Sequence, residues 1–210
     1  MSDDPFPQTL AAAQHGDEFA FTQLFRATQP TLLRYLRLVA RDDADDLAAD
    51  TWVQVVRGLH TFSAEEPAAF RAWVLSIGRH RWLDHLRRRR RRHETSMAFV
   101  PEQAAPSDPV EFVYELMSTE VALDLIRTLP HDQAEVIMLR YVADLDVART
   151  AELLDKQPGA VRVLAHRGLH RLRAALSDVP GQRGPTAGAR SEEQSDVAAD
   201  DQSDVAADEV

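Results

Sequence analysis

The 210-residue sequence contains no cysteine. This absence excludes a disulfide framework, a thiolate metal site and a cysteine nucleophile. No stretch is apolar for long enough to span a membrane. Residues 1–14 include two aspartates and no basic cluster, so they do not read as a signal peptide. These absences predict a protein that works in the cytoplasm.

Catalytic and metal-binding patterns are also missing. His166 and His170 stand one helical turn apart, but arginines surround them and no acidic partner accompanies them. The acidic run from Asp42 to Asp46 lacks the glycine and the distal glutamate of a calcium loop. No glycine-rich phosphate loop is found. The sequence therefore predicts no enzyme activity, no metal and no cofactor.

Alternating strand patterns are absent, and helical periodicity dominates. Over residues 45–59, Leu47, Thr51, Val55 and Leu59 recur every four residues and predict one buried helical face. An earlier helix is expected over residues 18–40, interrupted or bent near Pro30. A later one is expected from about residue 68 into the arginines at 87–92. The fold class predicted is all-α.

Two composition changes divide the chain into domains. Prolines at 101, 106 and 109 and the loss of apolar periodicity predict a flexible linker over residues 97–111. This linker joins two small helical domains, residues 1–96 and residues 112–177. Residues 178–210 carry nine acidic side chains against two arginines and end in the duplication QSDVAADD, QSDVAADE. We expect this acidic C-terminal tail to be disordered.

The second domain contains the pattern of a helix-turn-helix. Residues 147–154 predict a short helix, residues 155–157 a turn, and Pro158 suits the first position of the next helix. That helix has an apolar face and a basic face, as in helices that enter the major groove. An ordinary helical hairpin with a solvated basic face remains an alternative. The predicted inward residues are Val161, Leu164 or Ala165, Leu169, Leu172 and Leu176.

Six consecutive arginines, residues 87–92, end the first domain's long helix. A basic helix end is often only a solvated terminus that complements the helix dipole. Six arginines exceed that need, because their mutual repulsion calls for an anionic partner such as phosphate. Phe62, Trp73 and Trp82 lie nearby, and aromatic rings beside a basic strip can stack on single-stranded bases. Taken singly, the two tryptophans fit a core role better.

Three segments in this order resemble the extracytoplasmic-function sigma factors of bacterial RNA polymerase. Residues 42–62 (DDADDLAADTWVQVVRGLHTF) are similar to a region-two segment, and residues 69–92 (AFRAWVLSIGRHRWLDHLRRRRRR) to the segment that melts and reads the minus-ten element. Residues 129–173 (LPHDQAEVIMLRYVADLDVARTAELLDKQPGAVRVLAHRGLHRLR) resemble region four. The resemblance covers residues 18–176. It implies a transcription initiation factor that binds core RNA polymerase and promoter DNA, is held in check by an anti-sigma factor, and catalyses nothing itself.

The resemblance also implies a role for individual residues. Core polymerase would be contacted by Asp45, Asp46, Leu47, Thr51, Trp52 and Gln54. The minus-ten element, including a base flipped out of the non-template strand, would be met by Phe62, Ser63, Phe70, Trp73, Arg79, His80, Arg87, Arg88, Arg89 and Arg90. The minus-thirty-five element would be met by Pro158, Gly159, Ala160, Arg162, Val163, His166 and Arg167.

The sequence departs from the family pattern at three places. His80 follows Arg79 where the family often has asparagine. Asp155 stands in the turn where glycine is usual, and aspartate tolerates a left-handed backbone better than most residues. Leu164-Ala165 replaces a common Arg-Leu, which removes one candidate DNA contact. We expect the fold to survive all three.

Two other functions fit parts of the sequence pattern. A conventional helix-turn-helix regulator would bind duplex DNA without polymerase, usually as a symmetric dimer, and would leave the arginine run unexplained. An interaction protein with basic faces would make no sequence-dependent DNA contact. For the acidic tail, one hypothesis is that it masks a basic surface until polymerase engages; a solubilising appendage is an equal alternative.

Overall fold

The structure is a computed structural model that describes residues 5–93 and 121–177. Within these two ranges the chain forms helices and turns and no strand, which confirms the predicted all-α fold. The predicted linker, residues 97–111, and the acidic tail, residues 178–210, lie outside the described residues.

Four helices build the N-terminal half, residues 5–93. They are α1 (Phe6–Gln14), α2 (Glu18–Ala40), α3 (Ala44–Gly58) and α4 (Pro67–His93), with 3-10 turns at Arg41–Asp43 and Leu59–Thr61. Helix α2 begins where the Asp17 carboxylate accepts a hydrogen bond from the Ala20 amide at 2.8 Å, a standard N-cap. Helix α2 continues through Pro30 without a break, so the expected interruption near this residue is not seen.

The predicted face of α3 packs inward. Leu47, Thr51, Val55 and Leu59 are all buried, so the four-residue period located the core correctly. Helix α4 crosses α2 closely at Gly78, where an added Cβ would lie 2.9 Å from Leu32 Cδ1. Absence of a side chain at that position lets the two helices approach and bury the apolar residues between them.

The C-terminal half, residues 121–177, contains the helix-turn-helix. Its helices are α5 (described over residues 121–127), α6 (His131–Ile137), α7 (Val147–Leu154) and α8 (Pro158–Ser177), with a π-helical turn at Met138–Val142. Val161 and Ala165 of α8 are buried, and Leu169 and Leu172 pack on the group formed by Ile126, Leu129, Ala134 and Ile137. Leu176 was predicted inward but is 54% exposed, because it lies one turn beyond the packed part of α8.

The two halves contact each other. Helix α4 packs on α7, and α2 packs on α6 and on the π-helical turn. The described residues belong to one compact unit. Buried apolar residues of both halves, among them Leu36, Leu75, Val136 and Leu145, belong to one continuous core. The sequence had left open whether the domains associate.

Candidate nucleic-acid interface

The helix-turn-helix is shaped by two aspartates. Asp146 caps α7, its carboxylate accepting from the Arg149 amide at 2.7 Å. This hydrogen bond is the main reason that the pKa of Asp146 lies below its usual value. Asp155 ends α7 in the left-handed conformation, with φ 53° and ψ 49°. Asp155 therefore adopts the left-handed backbone conformation that aspartate was predicted to tolerate in this turn. This conformation redirects the chain into α8.

The residues predicted to meet the minus-thirty-five element form one open surface. They occupy the first three turns of α8, and every one of them is exposed: Pro158, Gly159, Ala160, Arg162, Val163, His166 and Arg167. The opposite face of the helix is fixed by Val161 and Ala165 in the core. A helix held from behind with its N-terminal turns in solvent has the geometry of a recognition helix.

The arginine strip at the end of α4 is exposed from Arg87 to Arg91. Within it, Arg87 is paired with Asp84 at 2.8 Å and Arg89 with Asp43 at 3.2 Å. His85 also lies 3.1 Å from the Asp43 carboxylate. The strip is therefore partly neutralised by acidic side chains and partly open to an external anion.

The aromatic residues of the predicted minus-ten surface pack on one another. Phe62 stacks on Trp73 with ring centroids 4.4 Å apart, and its edge meets Phe70 at 5.6 Å. Phe70 is almost completely buried, Phe62 and Trp73 are half-buried, and Ser63 is exposed. In this structure Phe70 supports the loop from inside, while Ser63 is accessible and the stacked rings keep part of their surface accessible.

Arg79 and His80 are neighbours in α4 but face different surroundings. The Arg79 Nε atom lies 3.6 Å from a carboxylate oxygen of Glu135 in the C-terminal half. His80 is exposed, with its ring Nδ1 2.7 Å from the Ser76 carbonyl oxygen. Of this pair, only His80 is free of contact with the C-terminal half among the described interactions.

The residues predicted to bind core polymerase divide into two groups. Asp45 and Asp46 are exposed and Gln54 is half-buried, all on α3. Leu47, Thr51 and Trp52 are buried: the Thr51 hydroxyl donates to the Leu47 carbonyl at 2.6 Å, and Trp52 Nε1 donates to the Gln29 side chain at 2.5 Å. In this conformation the buried Leu47, Thr51 and Trp52 hold α3 in place, whereas Asp45, Asp46 and Gln54 are accessible to a partner.

A buried polar contact between the halves was not predicted. Glu135, only 2% exposed, accepts a hydrogen bond from the Tyr35 hydroxyl at 2.8 Å. Burial, and then the Glu135 charge, hold the pKa of Tyr35 well above its ordinary value, so the hydroxyl stays a donor. The available signal was a glutamate inside the apolar run Ala134–Leu139, a placement that requires a partner.

His131, Asp132 and Glu135 bring three possible metal-ligand atoms within 4.8 Å of one another. Each carboxylate already has a protein partner. Lys156 pairs with Asp132 at 3.1 Å and lowers the pKa of that carboxyl, and Tyr35 is bonded to Glu135. The group is explained as an ion-pair cluster at the junction of the halves.

None of the described helices is both long and apolar enough to cross a membrane.

Comparison with known families assigns both halves. The family model described as Sigma-70 region 2 matches residues 24–92, and the one described as Sigma-70, region 4 matches residues 119–172. Among curated relatives, the ECF RNA polymerase sigma factor ShbA of Streptomyces griseus is 34% identical over 77% of this chain and 90% of its own length. BldN of Streptomyces coelicolor is 31% identical over 81% of this chain and 66% of its own length.

Two solved structures share the fold. The sigma factor RpoE in complex with the anti-sigma factor NepR, from Bartonella quintana, aligns with a TM-score of 0.62 at 22% identity, covering 76% of this chain and 98% of that one. CnrH in complex with the cytosolic domain of CnrY aligns with a TM-score of 0.56 at 24% identity, covering 83% and 98%.

An N-terminal region two and a C-terminal region four in one chain define a sigma factor of the sigma-70 class. The chain belongs to the extracytoplasmic-function family of RNA polymerase sigma factors. It binds core RNA polymerase, recognises promoter DNA through its helix-turn-helix, and initiates transcription.

Proposed function

We propose that this sigma factor divides polymerase binding and promoter recognition among three surfaces: the outer face of α3, the outer side of α4 with its preceding loop, and the first turns of α8. The domain limits that we propose are those expected from the sequence, residues 1–96 and 112–177, with residues 97–111 between them. The observation that carries the proposal is the exposure of all seven predicted minus-thirty-five residues on a helix that is otherwise fixed in the core.

The α3 surface is proposed to bind core polymerase through Asp45, Asp46 and Gln54. Two adjacent carboxylates at the start of a helix suit a basic partner surface, and their exposure leaves them available. Leu47, Thr51 and Trp52 contribute indirectly, because their burial fixes the orientation of α3.

The α4 surface is proposed to bind the minus-ten element. Arg87 to Arg90 supply charge for the phosphates. Phe62 and Trp73 offer ring edges to unstacked bases, and Ser63 and His80 are polar groups accessible to a base edge. Phe70 supports the ring stack, and Arg79 joins the surface once its contact with Glu135 is released.

The α8 surface is proposed to read the minus-thirty-five element in the major groove. Arg162 and Arg167 can reach guanine edges or phosphates, and His166 lies on the same face. Gly159 has no side chain and Ala160 has only a methyl group, and nothing lies within 4 Å of a Cβ built on Gly159, so the DNA backbone can approach closely.

Three further properties belong to the proposal. The protein acts as an initiation factor with no catalytic activity of its own and works in the cytoplasm with the polymerase. An anti-sigma factor controls it by covering these surfaces. Support for that control comes from the family resemblance and from the description of the related RpoE structure as an anti-sigma complex.

Run-off transcription with purified core polymerase on sheared genomic DNA tests the function. We expect discrete transcripts only when the wild-type protein is added. The double variant Asp45→Ala, Asp46→Ala should reduce them through weaker polymerase binding, and Arg162→Ala, Arg167→Ala through weaker promoter binding. Arg26→Ala, which removes an exposed charge of α2 outside the three surfaces, is the matched control. Absence of transcripts together with tight duplex binding by the protein alone would favour an ordinary helix-turn-helix regulator.

A further inference from the structure

One exposed apolar side chain stands among the charged residues of α8. Val163 is 48% exposed, and within the described part of α8 the only other large hydrophobic side chain so exposed is Leu176, more than three turns beyond it. The neighbours of Val163 on the helix surface are Arg162, His166 and Arg167, all of them exposed. A single exposed valine is common on protein surfaces, so its position on the helix decides whether it has a role.

Val163 lies opposite the side of α8 that packs in the core. Val161, Ala165 and Gly168 are buried. At about 100° per residue, Val163 is turned roughly 170° away from their mean direction. Gly168 fits so closely that an added Cβ would lie 2.8 Å from Ile137 Cγ1. Helix α8 is therefore fixed in rotation, and Val163 stays at the centre of its exposed face.

A helix fixed in this way can meet DNA only with its exposed face. The major groove is about 12 Å wide and about 8.5 Å deep, so it admits the helix but not the domain behind it. The residue opposite the core therefore points to the floor of the groove, where the base edges lie. Arg167 is turned about 40° to one side of Val163 and His166 about 60° to the other, which places both nearer to the groove walls.

The turn before Val163 lets the bases come close. Gly159 lies one turn towards the N-terminus on the same side of the helix, and nothing lies within 4 Å of a Cβ built on it. Ala160 adds only a methyl group. A valine in a helix keeps one dominant rotamer, so the two methyl groups of Val163 are held in place before DNA binds. A contact through such a side chain costs little conformational entropy.

The side chain of valine has no hydrogen-bond donor or acceptor, which limits what it can recognise. The base edges in the major groove present donors and acceptors, and their one apolar group is the C5-methyl of thymine. Against a guanine, adenine or cytosine edge, Val163 would cover a polar atom that loses its water, which weakens binding. Against a thymine, two apolar groups leave water together. Val163 therefore favours thymine and disfavours the other three bases.

We propose that Val163 is a specificity-determining residue of the α8 surface, and that it selects a thymine in the minus-thirty-five element by packing on the C5-methyl group. Val163 has this role only if α8 enters the major groove, so the proposal rests on the proposed function. Arg162 and Arg167 attract DNA whichever base faces Val163, so Val163 contributes to the choice of base more than to total affinity.

Uracil is thymine without the C5-methyl group and keeps the same hydrogen-bonding groups, so it isolates the proposed contact. A promoter is first identified from start sites mapped by run-off transcription. Each thymine of its minus-thirty-five region is then replaced singly by deoxyuridine, and the affinity of holoenzyme assembled with the full-length chain is measured at one salt concentration. At one position we expect the replacement to weaken wild-type binding about fourfold, the value of one buried methyl group.

Val163→Ala should abolish the effect of uracil at that position, because it removes the methyl groups that meet the thymine. Alanine favours the helix more than valine does, so this variant should fold. Leu176→Ala is the matched control: it shortens an exposed apolar side chain of the same helix outside its first three turns, and it should keep the fourfold effect. At the same position, 5-methylcytosine should bind wild type more tightly than cytosine does, and Val163→Ala should bind both equally.

Two results would overturn the role of Val163 alone. One is an equal effect of uracil on wild type and Val163→Ala, and the other is the absence of any uracil effect in the minus-thirty-five region of a promoter that wild-type holoenzyme binds. Absence of promoter-specific binding by wild-type holoenzyme would instead contradict the proposed function, and the role of Val163 with it. Binding of the unmodified promoter by wild-type holoenzyme therefore distinguishes the two failures.

Discussion

The rings of Phe62 and Trp73 stack with their centroids 4.4 Å apart and their planes within 21° of parallel. Phe62 follows the 3-10 turn at the end of α3, and Trp73 belongs to α4, so the stack connects the loop to the helix that carries the arginine strip. The Gln14 side chain also donates to the Phe62 carbonyl at 2.7 Å. The position of the loop is therefore fixed from two sides before any DNA binds.

We predict that Phe62→Ala lowers both stability and promoter opening. Removal of a half-buried ring that contacts Phe70 and Trp73 should cost about 2 kcal/mol, below the value for a fully buried phenylalanine. Thermal unfolding measures the stability, and permanganate footprinting of the minus-ten strand measures opening. Ser63→Ala, next to it but exposed, should leave stability unchanged. Equal stability of Phe62→Ala and wild type would show that the stack does not fix the loop.

Local patterns in the sequence were sufficient for much of the fold. The four-residue period identified the buried face of α3, and the aspartate in the turn after α7 has the left-handed backbone that its chemistry permits. Trp52 shows the limit of this reasoning. The family resemblance assigned Trp52 to the polymerase surface, and the four-residue period did not show that Phe25 and Gln29 enclose it in the free protein.

The association of the halves could not be obtained in the same way. Tyr35 and Glu135 are 100 positions apart, and no local period connects them. A glutamate in an apolar helix indicates that a buried partner exists but does not identify it. Only the packing of α2 on α6 brings the two side chains together.

We predict that Asp155→Gly stabilises the protein and that Asp155→Val destabilises it. A left-handed backbone at φ 53° costs a residue with a side chain about 1 kcal/mol. Glycine avoids most of this cost, while a β-branched side chain increases it. The measurement is the midpoint of thermal unfolding of the full-length chain. Gly159→Ala makes the reverse comparison at an exposed helical position with no atom near its Cβ, where alanine should stabilise through its higher helix propensity. An unchanged midpoint in both Asp155 variants would argue against strain in this turn.

The Asp146 cap predicts a pH dependence of stability. Because the hydrogen bond from the Arg149 amide lowers the pKa of Asp146 in the folded state, the ionised form is favoured by folding. This contribution is fully present above the unfolded pKa of about 3.9 and is lost as the pH falls through the lower, folded pKa. We expect Asp146→Ala to cost about 1 kcal/mol at neutral pH and progressively less in acid.

Urea unfolding of wild type and Asp146→Ala between pH 7 and pH 3 measures this difference. Asp146→Asn is the informative comparison, since asparagine can cap a helix without carrying a charge. It should retain most of the stability at pH 7 and show a smaller change on acidification than wild type. A difference between wild type and Asp146→Ala that stays constant down to pH 3 would contradict the assignment of the charge effect to the cap.

The arginine strip predicts an unequal effect of its members on DNA binding. Arg87 and Arg89 are held by Asp84 and Asp43, whereas Arg88 and Arg90 extend from the same helix without a described acidic partner. A DNA phosphate must compete with a carboxylate for Arg87 and Arg89, but not for Arg88 and Arg90. Neutralising Arg88 or Arg90 should therefore remove about one counterion from the binding equilibrium, and neutralising Arg87 or Arg89 should remove less.

The test is the affinity of holoenzyme for a promoter fragment, measured for Arg87→Gln, Arg88→Gln, Arg89→Gln and Arg90→Gln over a range of potassium chloride concentrations. For Arg88→Gln and Arg90→Gln, the slope of log affinity against log salt should become shallower by about one, with a smaller change for the other two. Asp43→Asn removes the acidic partner of Arg89. In that background, Arg89→Gln should change the salt slope as much as Arg90→Gln does. Identical slopes for all four variants would mean that the DNA displaces the carboxylates without cost.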